Sequence, residues 1–408
     1  MPRLLSVNSY HYRRGGADGV YFDHAALMEA SGWQNAYFAM HHPRNEASDY
    51  SRFFVDEIQF GHDYSLPDKL VKATKVVYSL EAQRKLRALI AEYRPDVAHL
   101  HNIYHHLSPS ILPVLRKAGI PVVMTAHDLK IACPNNKMLA RDGICERCKG
   151  HRYRNVVLQR CVQDSTAASA IVAAEATLHR ALGSYRRFVD RIIVPSQFYI
   201  EKFVQWGWPR ETFSHVPNYV DAAAYEASGH CGDHFLYFGR IATEKGIATL
   251  IRAVARSGAA RRVAGTGPVE AEMKALAQSL QADVEFLGFR RGEELKREIR
   301  ECRAVVLPSE WYENAPLSIL ECFAMGKAAI GADIGGIPEL IRLGHTGWLF
   351  PSGNVEALAE ALDKVRNAPV SEVMTLGRTA RAFVQEKFTK QLYLDEIKSI
   401  YRGLGVQA

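Results

Sequence analysis

Short apolar runs alternate with stretches whose apolar positions recur at helical spacing, almost from one end of the chain to the other. In the first half, Leu4–Asn8, Asn35–Met40, Val97–Leu100, Val122–Thr125 and Arg191–Val194 read as strands. Helical patterns cover Asp18–Ser31, Glu81–Glu92 and Pro109–Ala118. The second half alternates more cleanly. Strands are predicted at Phe235–Phe238, Arg262–Ala264, Val284–Leu287, Ala304–Leu307 and Ala328–Gly331, with helices near Lys245–Ser257, Pro268–Leu280, Glu293–Cys302 and Pro316–Met325. An amphipathic helix is predicted over Phe383–Tyr401. Strict alternation of this kind predicts an α/β protein with parallel sheets.

The segment Pro217–Asp233 carries Pro, Asn, Gly and Asp, lacks periodicity, and separates the two alternating blocks. The reading is therefore two doubly wound domains facing each other across a cleft, residues 1–217 and 218–387, with residues 388–408 as a terminal helix returning to the first domain. Ligands of such sheets sit beyond the carboxyl ends of the strands.

At 408 residues the chain is long enough for two or three full cores, and its 48% hydrophobic content is that of a globular protein. No apolar window is long enough to span a membrane, and the N-terminal run is too short for a signal peptide. Seven cysteines, an odd number with three scattered singly, do not form a secreted disulfide framework, so a cytoplasmic location is expected. The net charge of +7 is mild but uneven. Lys137, Arg141, Arg147, Lys149, Arg152, Arg154 and Arg160 cluster against Asp142 and Glu146 alone. The cluster is either a solvated loop or a patch for a membrane surface or a phosphate-bearing acceptor. Nucleic acid is not expected, because no binding module accompanies it.

Candidate chemistry follows the strands. Glu313 and Glu321 stand eight positions apart across a loop-to-helix junction, Glu313 in the loop and Glu321 about one turn into the helix that Pro316 opens. A helix N-terminus there attracts anions, so the two carboxylates suit a ligand bearing both hydroxyls and phosphates. Arg240 and Lys245 flank the short loop after Phe235–Phe238, a planar fork and a point charge fit for a diphosphate. Gly265, in Gly265-Thr266-Gly267, and the pair Gly335-Gly336 would allow close backbone approach to a ligand. In the first half, Gly15-Gly16 precedes a helix and His127 ends a strand. His99, His101, His105 and His106 flank another strand end and read as polar residues at the cleft edge.

This ordered set, Gly15-Gly16, His127, Arg240 with Lys245-Gly246, Glu313 with Glu321, and Gly335-Gly336-Ile337-Pro338-Glu339, resembles the retaining glycosyltransferase family four, of GT-B fold. The resemblance runs from Leu4 to about Phe350. It implies metal-independent transfer from an NDP-sugar, a UDP- or GDP-sugar, to a saccharide or lipid-linked acceptor in surface polysaccharide or glycolipid synthesis, with peripheral contact at the cytoplasmic face of a membrane. Carried over, Glu321 would hold the ribose, Arg240 and Lys245 the diphosphate, and Gly16 would approach that diphosphate from the other domain. Glu313 and the backbone at Asn314, Ala315, Pro316 and Leu317 would bind the sugar. His127 would contact the sugar near the reacting carbon, and the loop carrying Arg290 would hold the base. Many family members have Phe-Gly where this chain has Asn314-Ala315-Pro316, which bears on sugar recognition. Two other readings of the same architecture are a non-catalytic binding subunit and an NDP-sugar epimerase. The first is opposed by the presence of all four of Arg240, Lys245, Glu313 and Glu321. The second needs acid–base residues that the sequence does not offer.

An insertion over residues 130–165 holds Cys133, Cys145, Cys148 and Cys161 at the spacing C-x11-C-x2-C-x12-C. A structural zinc ion would staple a basic loop short of apolar anchors. Reduced thiols that never meet, a disulfide or an iron–sulfur cluster are the alternatives.

Overall fold

The computed structural model describes residues 1–59 and 65–407 and divides into two units. The first comprises Met1–Pro195, Tyr199–Val216 and Leu394–Ala408; the second comprises Ser196–Phe198 and Pro217–Tyr393.

In the first unit six parallel strands lie in the order Gln34–Phe38, Arg3–Val7, Val97–Leu100, Val122–Thr125, Arg191–Val194 and Phe213–His215. Val97–Leu100 and Val122–Thr125 are buried at every position, as a sheet covered on both faces requires. The first strand of the chain lies between the second and the third, so the strand order reverses between Arg3–Val7 and Val97–Leu100. A crevice forms at such a reversal beyond the carboxyl ends of the strands.

The second unit repeats the plan. Its order is Val284–Gly288, Arg261–Ala264, Phe235–Phe238, Ala304–Leu307, Ala329–Asp333 and Gly347–Pro351, all parallel. The reversal falls between Phe235–Phe238 and Ala304–Leu307, two fully buried strands. Their neighbours are amphipathic helices such as Ile247–Ser257, which buries Ile247, Leu250, Ile251 and Val254 and turns its arginines outward.

The predicted strands and most predicted helices are present, and three differences have local causes. Phe213–His215 and Gly347–Pro351 are additional outer strands. The terminal pattern is two helices, Val370–Lys387 and Lys390–Gly403, separated at Phe388, whose backbone leaves the helical region (φ −126°, ψ 47°). Pro316 is the residue before the helix Leu317–Ala324 rather than its first residue, with extended backbone (ψ 116°).

The insertion differs more. A two-stranded hairpin, Leu139–Ala140 with Gly143–Ile144, leads into the short helix Arg154–Leu158. The loop has its own apolar anchors: Ile131, Ala132, Met138 and Val156 are buried. At its base the Lys130 ammonium and the Glu175 carboxylate form an ion pair at 2.7 Å, with side chains 4% and 2% exposed. All four cysteines are free thiols, Cys133 and Cys148 buried. Burial pushes Cys133 up to about 11 and Cys148 up to about 12, favouring the protonated thiol. Among the described residues no group of three or more His, Cys, Asp or Glu is arranged to hold a metal ion. The expected zinc site is therefore not supported, and the loop is held by apolar packing and a buried ion pair.

Arg141 pairs with Asp164 and Arg147 with Asp142, so part of the basic cluster is neutralised within the loop. Among the described residues no helix is long and apolar enough to cross a membrane.

Candidate functional site

The loops that follow the two strands flanking the reversal in the second unit bring Lys245 to Glu313. Lys245 Nζ lies 2.7 Å from Glu313 Oε1, and Ser309 Oγ donates to the same oxygen at 2.6 Å. Burial opposes ionisation of Glu313, but the charge and hydrogen bond of Lys245, with Ser309 and Trp311, outweigh it and hold the carboxyl below its ordinary range. Lys245 also sits 5.1 Å above the Trp311 ring. Thr249 Oγ1 donates to Glu310 Oε1 at 2.6 Å and Ser352 Oγ to the Ser309 carbonyl at 2.8 Å, so both sides of the Glu313 loop are tied to neighbouring elements.

Arg240 is exposed at the start of the first loop, and Tyr237 Oη fixes its carbonyl at 2.7 Å. Gly265 has a task besides the backbone approach to a ligand that its sequence suggests. It lets two loops touch: a Cβ there would lie 1.9 Å from the Gly239 carbonyl oxygen. Gly239 N donates to Ala264 O, and Gly265 N donates to Gly288 O at 2.8 Å, which also fixes the start of the loop bearing the half-buried Arg290. Arg240, Gly265 and Arg290 thus stand on three backbone-stitched loops at one edge of the sheet.

Gly336 does the same behind the acidic loop. Its N–H donates to the Glu313 carbonyl at 2.8 Å, and a Cβ would fall 1.9 Å from the Asn314 carbonyl oxygen. Asn218 Nδ2 donates to the Ala315 carbonyl at 3.1 Å, and Ser196 Oγ donates to Asn314 Oδ1 at 2.7 Å. The unusual Asn314-Ala315-Pro316 segment is therefore braced from both sides. Leu317 opens the eight-residue helix, and Glu321 is half-buried one turn in.

In the first unit Gly16 begins the helix Gly16–Ala30. Asp18 anchors the loop before it, accepting from Asn8 Nδ2 at 3.0 Å and from Arg14 Nε at 3.0 Å. His127 follows Val122–Thr125 and is half-buried. Its Nε2 lies 2.8 Å from His101 Nδ1. His99 and His101 are not edge residues: both are fully buried, and His106 nearly so. Together with His24 they form a column of imidazoles, His99 on His101 at 4.9 Å and His101 on His127 at 5.1 Å between near-parallel rings, with His24 and His99 centred 4.2 Å apart. Tyr401 Oη closes the column at 2.6 Å from His99 Nδ1. Sequence reading missed this cluster. Its signal was polar His99 and His101 flanking Leu100 at the end of an otherwise apolar strand.

The second unit thus presents an exposed guanidinium, an ammonium paired to a buried carboxylate, and a helix start with a carboxylate one turn in. That set can bind a ligand carrying phosphates at one end and hydroxyls at the other.

Residues 232–383 match the family described as glycosyl transferases group 1, and residues 24–219 match a glycosyl transferase 4-like domain. The chain is 31% identical over 178 residues to alpha-D-kanosaminyltransferase of Streptomyces kanamyceticus, covering 42% of this chain and 46% of that protein. It is 29% identical over 150 residues to the putative colanic acid biosynthesis glycosyltransferase WcaL of Escherichia coli, covering 35% of this chain and 37% of the relative. The chain thus spans under half the length of these curated relatives. In fold it is similar to HepE of Anabaena, solved with UDP and glucose, at a TM-score of 0.69 and 19% identity over 99% of this chain and 100% of that one. With both halves matched and the two parallel-sheet units of a GT-B protein in place, the chain belongs to the glycosyltransferases of group 1, family four.

Proposed function

We propose that this protein is a retaining glycosyltransferase that moves a sugar from a UDP- or GDP-sugar to a saccharide or lipid-linked acceptor in surface polysaccharide or glycolipid synthesis. The observation that carries the reading is the Lys245–Glu313 pair at the strand-order reversal of the second unit, beside the exposed Arg240. Uridine is the first base to try, since the similar fold of HepE was solved with UDP. The matched relatives named for colanic acid and amylovoran biosynthesis support the acceptor class.

Arg240 and Lys245 take the diphosphate, whose negative charge grows as the glycosidic bond breaks; stabilising that charge is the largest catalytic task. Glu321 accepts from the ribose hydroxyls. Glu313, with the backbone of Asn314, Ala315, Pro316 and Leu317, holds the sugar hydroxyls. The family resemblance assigns His127 to the sugar, Gly16 to the diphosphate and Arg290 to the border of the base. The donor phosphate itself serves to deprotonate the acceptor hydroxyl, so the two glutamates are not an acid–base pair of glycosidase type. The basic loop with Lys149, Arg152 and Arg154 suits an anionic or membrane-borne acceptor.

Thermal stabilisation by UDP, GDP, ADP and dTDP identifies the base. Transfer is then followed by NMR with the matching nucleotide sugar and an acceptor alcohol. An α-linked product from an α-linked donor is expected. An inverted product refutes retention, and sugar isomerisation without acceptor refutes transfer in favour of epimerisation. Glu321→Ala should weaken nucleotide binding by about 1–3 kcal/mol, the cost of losing a hydrogen bond to a charged group; unchanged affinity removes Glu321 from the ribose.

A further inference from the structure

His101 and His127 share one hydrogen bond, Nδ1 to Nε2 at 2.8 Å, and between two neutral imidazoles one nitrogen must donate and the other accept. His101 is fully buried and its remaining nitrogen, Nε2, has no hydrogen-bond partner among the described residues. That orphan decides the direction. If His101 accepted at Nδ1, its proton would sit on Nε2 as a buried N–H without an acceptor, the costlier and rarer defect. If it donates from Nδ1, only a lone pair is left unmatched. His101 therefore carries its proton on Nδ1, His127 accepts at Nε2, and the proton of neutral His127 is left on Nδ1.

We propose that His101 is a positioning residue that fixes His127 as its Nδ1–H tautomer, so that His127 meets the sugar as a hydrogen-bond donor and does not serve as a base. The assignment of His127 to the sugar rests on the function proposed above; the tautomer rests on the hydrogen-bond geometry alone. Neither ring becomes an imidazolium near neutral pH, because burial pushes His127 down to about 4 and His101 further still, helped by its imidazole neighbours. A neutral N–H donor suits a hydroxyl or ring oxygen of the sugar without attracting the diphosphate away from its cations.

The rest of the column holds His101 in place. His99 stacks on it, pinned by Thr125 Oγ1 at 2.7 Å from its Nε2 and by Tyr401 Oη at 2.6 Å from its Nδ1. Tyr401 Oη also lies 3.2 Å from His24 Nε2, and Tyr21 meets His101 edge-on at 5.4 Å. His101 is thus oriented by stacking and by the terminal helix rather than by a carboxylate.

The test is two-bond proton–nitrogen NMR on the full-length protein labelled with 15N at histidine. His127 should show a protonated-type Nδ1 and an unprotonated-type Nε2, with no titration between pH 6 and 8. The opposite pattern overturns the proposal whether or not the protein transfers sugar. If the tautomer is as stated and no transfer occurs, the functional reading fails alone. In turnover, His101→Asn, whose amide can donate from the place of Nδ1, should keep kcat within a few-fold of the parent. His101→Leu should lower kcat up to about a hundredfold, as small misplacements at a reacting centre do, with KM for the nucleotide sugar little changed. Equal losses in the two variants overturn the positioning role; if the leucine variant does not fold, the NMR assignment still decides.

Discussion

Lys245 Nζ stands 2.7 Å from a Glu313 oxygen that Ser309 also engages, and the carboxylate side chain is only 7% exposed. The ammonium proposed to meet the diphosphate is therefore the partner that keeps Glu313 ionised inside the protein. The two roles are linked: a bound diphosphate must share Lys245 with Glu313 rather than find it idle.

Lys245→Met should reduce both turnover and stability, and the stability loss should depend on pH. Without the ammonium, burial raises the Glu313 carboxyl, which can then protonate in mild acid but stays a costly buried charge above its new midpoint. The variant's deficit in unfolding free energy should therefore be larger at pH 8 than at pH 5, by about 1–3 kcal/mol. Denaturant titration at the two pH values checks this; an equal deficit at both means that the pair is not electrostatically coupled.

Gly336→Ala tests the backing of the acidic loop. The added methyl would lie 1.9 Å from the Asn314 carbonyl oxygen, a backbone atom that cannot swing aside as a side chain could. The loop must move, costing about 1–3 kcal/mol as overpacking does, and turnover should fall with it. Gly229→Ala, where the new methyl meets nothing within 4 Å among the described residues, is the control. Matching Tm and kcat in the two variants would mean the loop tolerates displacement.

The strands flanking the reversals were legible because sheets buried on both faces require unbroken apolar runs, as Phe235–Phe238 and Ala304–Leu307 show. The outer strands were not. Phe213–His215 has one apolar residue in three, and Gly347–Pro351 is bounded by two strand-breaking residue types. One helix is predicted over Phe383–Tyr401 because apolar periodicity runs through the interruption at Phe388, which no Gly or Pro marks. Each loop of the candidate site could be read from its motif, but the partner of each glycine could not. Gly265 and Gly336 face other loops, and only the fold shows which. The imidazole column could not be assembled from the sequence, where only His99 and His101 beside Leu100 hint at it, since it joins positions 24, 99, 101, 127 and 401.

The Lys130–Glu175 pair, with Lys130 also donating to the Pro134 carbonyl at 3.0 Å, ties the cysteine-bearing insertion to the helix Thr166–Ala181. Removing one charge leaves the other buried. Lys130→Met should cost about 3–5 kcal/mol, whereas adding Glu175→Leu should recover much of that loss, because a packed apolar pair needs no compensation. Urea denaturation of the parent, the single and the double variant closes the comparison. A double variant no more stable than the single would show that the ion pair is not what holds the insertion.

Acid should destabilise the first unit, and the sign follows from its buried imidazoles. Burial pushes His24 to about 3, His105 and His127 to about 4 and His106 to about 3, and holds His99 and His101 well below their ordinary value. In the unfolded chain each titrates near 6.5. Below about pH 6.5 the unfolded chain therefore binds protons that the folded one refuses, and stability falls as pH falls toward 4. Asp128 works the other way. Burial pushes it up to about 6, so the folded chain keeps a proton that the unfolded chain releases between about pH 4 and 6. His11, pushed to about 4, and His179, also lowered by burial, add to the six, so one carboxyl opposes eight imidazoles, and the imidazoles prevail. Thermal unfolding should show a lower Tm at pH 5 than at pH 7.5, with net uptake of several protons on unfolding at pH 5. A Tm equal at the two pH values would mean that the imidazoles are not held neutral by burial.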